Sequence, residues 1–185
     1  MIAEPLSPVQ RFLHTLQVVA REGKHLHYSW GRLFSQTIDA DWVGRLEAEP
    51  ELAERLEAFV SRFGRMQDTI SGKLLPRWLI ALAETPGSQI EVLNRAERLG
   101  VVSSTERWLA ARQLRNRLIH EYMTDTRTFA DDLLLARDYA PDLIDTYNRV
   151  RRFAIERMGI SEGDLPPPLE PPGSIDHGTS TPPVA

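Results

Sequence analysis

Apolar side chains recur along this chain at steps of three and four, and no segment alternates polar with apolar residues as a half-buried strand does. The clearest run is Leu56, Phe59, Phe63, Met66, Ile70 and Leu74, which places one continuous stripe on a long core-facing helix. Val9, Phe12, Leu13, Leu16 and Val19, then Leu26, Trp30, Leu33 and Phe34, repeat the pattern near the N-terminus. The chain therefore reads as an all-α helical bundle.

Local signals punctuate the helices. Ser7 followed by Pro8 starts the first, because a serine cap and an N1 proline both suit unpaired amides. Asp39 to Pro50 reads as a connector with a short helix. Gly64 and Gly72 weaken the long helix, and Pro76 either kinks it or starts a new one carrying Trp78, Leu79 and Leu82. The TPG break precedes a capping box of Ser88 and Glu91, and Gly100 ends that helix. Ser103 and Glu106 form a second box, opening a helix that runs to about Tyr122. Beyond Asp125, helices are expected over about Thr128 to Tyr139 and Asp142 to Met158, separated by Pro141.

The first 160 residues are thus one helical domain. From Ser161 the composition changes, since seven of the thirteen prolines fall in the last 25 residues. Residues 161–185 read as a disordered proline-rich tail.

Several function classes fall away. No apolar run approaches the roughly 20 residues that cross a bilayer, and MIAEPLSPVQ has neither the basic nor the apolar region of a signal peptide. A cytoplasmic protein without membrane contact is expected. Cysteine is absent, which removes disulfides, thiolate nucleophiles and cysteine-ligated zinc. His25 and His27 point to different sides of a helix and have no acid at ligand spacing, so no metal site and no cofactor is expected. Asp131 and Asp132 are adjacent and diverge, which disfavours a metal-dependent nuclease. Arg65 and Asp68 read as a helix-surface pair that could also help shape an RNA cleft, and Trp30, Trp42, Trp78 and Trp108 as core or interface residues.

The formal net charge is −4, so any nucleic-acid site must be local. Arg107, Arg112, Arg115 and Arg117 crowd into a stretch whose sole acid is Glu106. On a helix turning about 100° per residue, Ala111, Leu114 and Leu118 face the core. Arg112, Arg115, Asn116 and His120 share a different arc, spanning about 140°. A histidine moves protons near neutral pH and an arginine holds phosphate oxygens. RNA brings its own nucleophile, the 2′-hydroxyl.

The segment RNRLIHEY also resembles the R-x4-6-H motif of the HEPN superfamily, in the R-x4-H-x-Y form of HepT-like toxins. Arg115 and His120 fall on the motif's catalytic pair, Asn116 on the polar residue after the arginine, and Tyr122 on its tyrosine. The stretches SRFGRMQDTISGKLLP, EVLNRAERLGVV and ERWLAARQLRNRLIHEY extend the likeness over about residues 56 to 125. The resemblance implies a HEPN-like bundle acting as a homodimer: a metal-independent endoribonuclease toxin that cleaves tRNA or mRNA. Arg112 and Asn116 would support the catalytic pair. It further implies an antitoxin of the minimal nucleotidyltransferase (MNT-like) type, silencing the toxin by AMPylation of Tyr122. The alternative is a non-catalytic helical binding module that partners such a nucleotidyltransferase through the same face.

Overall fold

The computed structural model describes residues 5–120 and 125–173, apart from the side chain of His120. Every regular element among them is helical: α1 (Pro8–Leu33), α2 (Ala40–Gly44), α3 (Pro50–Thr69), α4 (Leu75–Ala81), α5 (Gln89–Arg98), α6 (Thr105–His120) and α7 (Thr126–Met158). A π-turn at Ile70–Leu74 joins α3 to α4, and a short 3-10 turn occupies Glu162–Asp164. No helix among the described residues is long and apolar enough to cross a membrane.

The long α1 lies against α3, α4 and α7, while α6 bridges α3 and α7. Phe12, Leu16, Val19 and Leu26 of α1 meet Phe59, Phe63 and Met66 of α3 and Ile144 and Tyr147 of α7 in one core, all fully buried. These are the residues of the three-and-four pattern, so burial of that stripe organises the bundle. Trp42, Trp78 and Trp108 join it.

The caps at Ser7 and Ser88 form as the sequence indicates, each a reciprocal capping box, with Gln10 and Glu91 respectively. Gly100 takes the left-handed conformation (φ 81°) that follows a helix end. The cap of α6 is one residue later than expected. Ser104 Oγ accepts the Arg107 N–H at 3.1 Å, and Glu97, not Glu106, takes the Thr105 N–H at 2.8 Å. A carboxylate from α5 thus does the work that the Ser103–Glu106 box was expected to do.

Neither proline breaks its helix. Ahead of Pro76 the ladder widens, with the Leu75 N–H donating to Ile70 O, which eases the ring past the carbonyl of the preceding turn. Pro141 lies inside α7, which continues unbroken where two helices were expected. Pro141 has no N–H for Arg137 O, the carbonyl four residues back. Trp30 Nε1 on α1 donates to that oxygen instead, at 3.0 Å. Next to it, Asp138 O accepts from Arg107 Nη2 at 3.1 Å.

The boundary at residue 160 also moves. Residues 161–173 fold back as a strap over α1 and α7, burying Leu165 and Leu169. Asn148 of α7 clamps the strap, its Nδ2 donating to Leu169 O at 2.8 Å and its Oδ1 accepting the Leu169 N–H at 2.9 Å. Tyr147 Oη donates to Pro167 O at 2.8 Å and Arg151 Nε to Pro166 O at 2.7 Å. Proline-rich backbone cannot pair with itself, but its carbonyls remain good acceptors, and α7 supplies the donors. Residues 174–185, the rest of the expected tail, lie outside the described residues.

Candidate active site on α6

Gly64 of α3 lets α6 approach closely enough for Arg115 to lie across it. A Cβ on Gly64 would stand 2.7 Å from Arg115 Cδ. The guanidinium is then fixed from three sides. Nη1 donates to Asp68 Oδ2 at 2.6 Å and to Gly64 O at 3.4 Å, and Nη2 donates to Asn116 Oδ1 at 3.2 Å. The Arg115 side chain is 13% exposed and Asp68 57%. Asp68 therefore pairs with Arg115, not with Arg65 as its spacing had suggested. Arg115 Nε is buried without an acceptor.

One turn along both helices from this contact, α3 and α6 part to leave a groove of about 460 Å³. Leu56, Val60, Leu118 and Ile119 give it an apolar lining, and Glu57 and Ser61 add polar groups. Leu118 is buried at its base, whereas Ile119 is 53% exposed.

The other arginines do not join Arg115 in one patch. Arg112 Nη1 donates to Gln89 Oε1 on α5, and Gln89 Nε2 in turn donates to Ser71 Oγ in the π-turn at 2.9 Å. Arg117 makes a two-pronged pair with Asp132 of α7, at 3.0 and 2.8 Å. Arg107 pairs with Asp142 and lies 4.5 Å from the centre of the Tyr139 ring. The cluster is local in sequence, but its charges reach three different neighbours.

Among the expected site residues, Arg115 and Asn116 are thus brought together, and Arg112 is turned to α5. His120 ends α6 five residues after Arg115; its side chain, and Tyr122 altogether, lie outside the described residues. Asp68 and Gly64 are the site residues that spacing within α6 could not reveal, since both come from α3. Among the described residues no group of three or more histidine, aspartate or glutamate side chains is placed to hold a metal ion. No protein-family model, curated protein or solved structure matches this chain.

Proposed function

We propose that this protein is an endoribonuclease that needs no metal, in which Arg115 and His120 make the RNA 2′-hydroxyl attack the adjacent phosphate. The observation that carries the reading is the fixed guanidinium of Arg115, tied to Asp68 and Asn116 beside an open groove. A charge held in place before the substrate arrives loses little by reorganising when the phosphate gains charge. Nη2 has two N–H donors and Asn116 takes one, which leaves the other for a phosphate oxygen.

His120 takes the proton from the 2′-oxygen as that oxygen bonds to phosphorus. The bond to the 5′-oxygen breaks, and the imidazolium returns a proton to it, leaving a 2′,3′-cyclic phosphate. A homodimer that pairs two α6 helices across one cleft would supply two such sets. By the HepT-like resemblance, the protein acts as a toxin on tRNA or mRNA. A nucleotidyltransferase antitoxin then silences it by adding AMP, with its bulk and negative charge, to Tyr122.

The test is incubation of the purified protein with tRNA and mRNA in EDTA. Cleavage with a cyclic phosphate end is expected, and its loss in Arg115→Ala and in His120→Ala. A double variant as active as the parent refutes the reading. Mass spectrometry after co-expression with a nucleotidyltransferase partner tests the modification of Tyr122.

One observation favours the second reading, a binding module without catalysis: Arg107, Arg112, Arg115 and Arg117 all engage protein groups. Its signature is tight partner binding with neither RNA cleavage nor growth arrest on expression.

A further inference from the structure

Cations gather along the seam between α1 and α3, in a chain whose formal net charge is −4. Two adjoining depressions run along it. One, of about 190 Å³, is lined by Tyr28, Arg32, Arg55 and Arg62 together with Glu51 and Glu54. The next, of about 150 Å³, is lined by Glu22, His25, Arg62 and Arg65. Arg62 is their common wall, held by Ser29 Oγ and by His25 O. Lys73 lies within electrostatic reach of Glu22.

Five cationic side chains therefore face three carboxylates, an excess of positive charge along the seam. Glu51 is shared between Arg55 at 2.5 Å and Arg32 at 3.6 Å. Glu22 accepts from Thr69 Oγ1 at 3.0 Å, while burial pushes its carboxyl above the usual range and leaves its other oxygen unpaired. Between the arginines the Tyr28 ring is 59% exposed, with the Arg32 guanidinium 5.9 Å from its centre. A recessed row of arginines with an exposed ring is the arrangement that single-stranded nucleic acid uses, phosphates on the cations and a base on the ring.

We infer that the α1/α3 seam is a binding track for single-stranded RNA, distinct from the Arg115 segment. It rests on the reading of RNA as substrate and adds where the strand is held. On α3, Arg62 and Gly64 project about 160° apart, so the track and Arg115 occupy opposite sides of one helix, about 10 Å across. A strand gripped by the seam has to cross α3 to reach Arg115, which favours flexible single strands over rigid duplex. A flat anionic bilayer would meet the seam less well than a narrow strand, because the charges sit in depressions.

The test uses a fluorescent single-stranded oligonucleotide of about 12 residues, made with 2′-O-methyl groups so that it cannot self-cleave. Binding is followed by anisotropy against salt. Arg32→Gln with Arg65→Gln should reduce the salt slope by about 1.4, or 0.7 per lost phosphate contact, and Tyr28→Ala should weaken binding roughly tenfold. Glu51→Gln with Glu54→Gln should tighten it, an outcome that misfolding cannot imitate. Unchanged affinity and slope in all three overturn the track, as does loss of binding to phosphatidylserine vesicles with RNA binding intact. Because the probe has no 2′-hydroxyl, failure of the cleavage reading and failure of the track show separately.

Discussion

Asp68 on α3 and Arg115 on α6 meet at 2.6 Å across the backbone of Gly64, so the residue proposed to stabilise the transition state is positioned by a different helix from its own. Asp68 is more than half exposed but the Arg115 side chain is only 13% exposed, so removing the carboxylate leaves a mostly buried guanidinium short of a partner, at a cost of about 1–3 kcal/mol. Asp68→Ala should lower RNA cleavage about 100-fold, the cost of a misplaced catalytic group, when both proteins are assayed well below their melting temperatures. Partial recovery in Asp68→Glu is expected. Equal activity of Asp68→Ala and the parent would remove Asp68 from the site.

Gly64→Ala probes the same contact from below. The new methyl displaces Arg115 at Cδ, and the better helix propensity of alanine offsets part of the crowding, about 0.5–1 kcal/mol. Stability by denaturant titration should change by less than about 2 kcal/mol, with a disproportionate loss of cleavage.

Trp30 and Pro141 are coupled through one carbonyl. Trp30→Phe strands Arg137 O and should cost about 1–3 kcal/mol, beyond the lost ring area. In the Pro141→Ala background residue 141 has its own N–H for that oxygen, so the same Trp30→Phe change should cost less. A double-mutant cycle in urea measures the difference, and strict additivity would refute the coupling.

Asn148→Ala removes both bonds that clamp the strap at Leu169. At about 1 kcal/mol per bond, a loss near 2 kcal/mol is expected. Proteolysis should then cut within residues 161–173 before it cuts within α7.

Burial pushes the Tyr147 hydroxyl up to about 12 from its ordinary value of 10.0. The folded state thus keeps this proton where the unfolded chain has lost it. The contribution is complete below pH 10 and disappears as the pH rises through about 12. Alkaline unfolding of the parent should lose on the order of 2 kcal/mol across that window. Tyr147→Phe should start lower, lacking its bond to Pro167, and decline less steeply.

Much of this architecture was legible because its signals are local. The apolar stripes of α1 and α3, the cap at Ser7, the box at Ser88 and the left-handed Gly100 each depend on residues a few positions apart. What escaped depends on distant partners. Pro141 looks like a helix breaker until Trp30 arrives from α1 to satisfy the carbonyl it leaves. Residues 161–173 look like unattached polar chain until Asn148 and Tyr147 bind their backbone, and Ser103 looks like the cap until Glu97 reaches over from α5. The candidate site divides the same way. Arg115 and Asn116 were readable from spacing on one helix, whereas Gly64 and Asp68 could be joined to them only in three dimensions. Arg112 and Arg117 share a sequence neighbourhood with Arg115, but packing sends each to a different neighbour.

The strap also bears on the order in which the protein matures. A Cβ on Gly23 would stand 2.3 Å from Leu169 Cδ1, so this far-downstream leucine fills the space that the missing side chain in α1 leaves. A nascent chain leaves the ribosome N-terminus first, and α1 through α7 emerge with that hollow still unfilled. Completion of the seam between α1 and α7 awaits the synthesis of Leu169, and a transcript cut short after Met158 yields α1 to α7 with an unsealed joint.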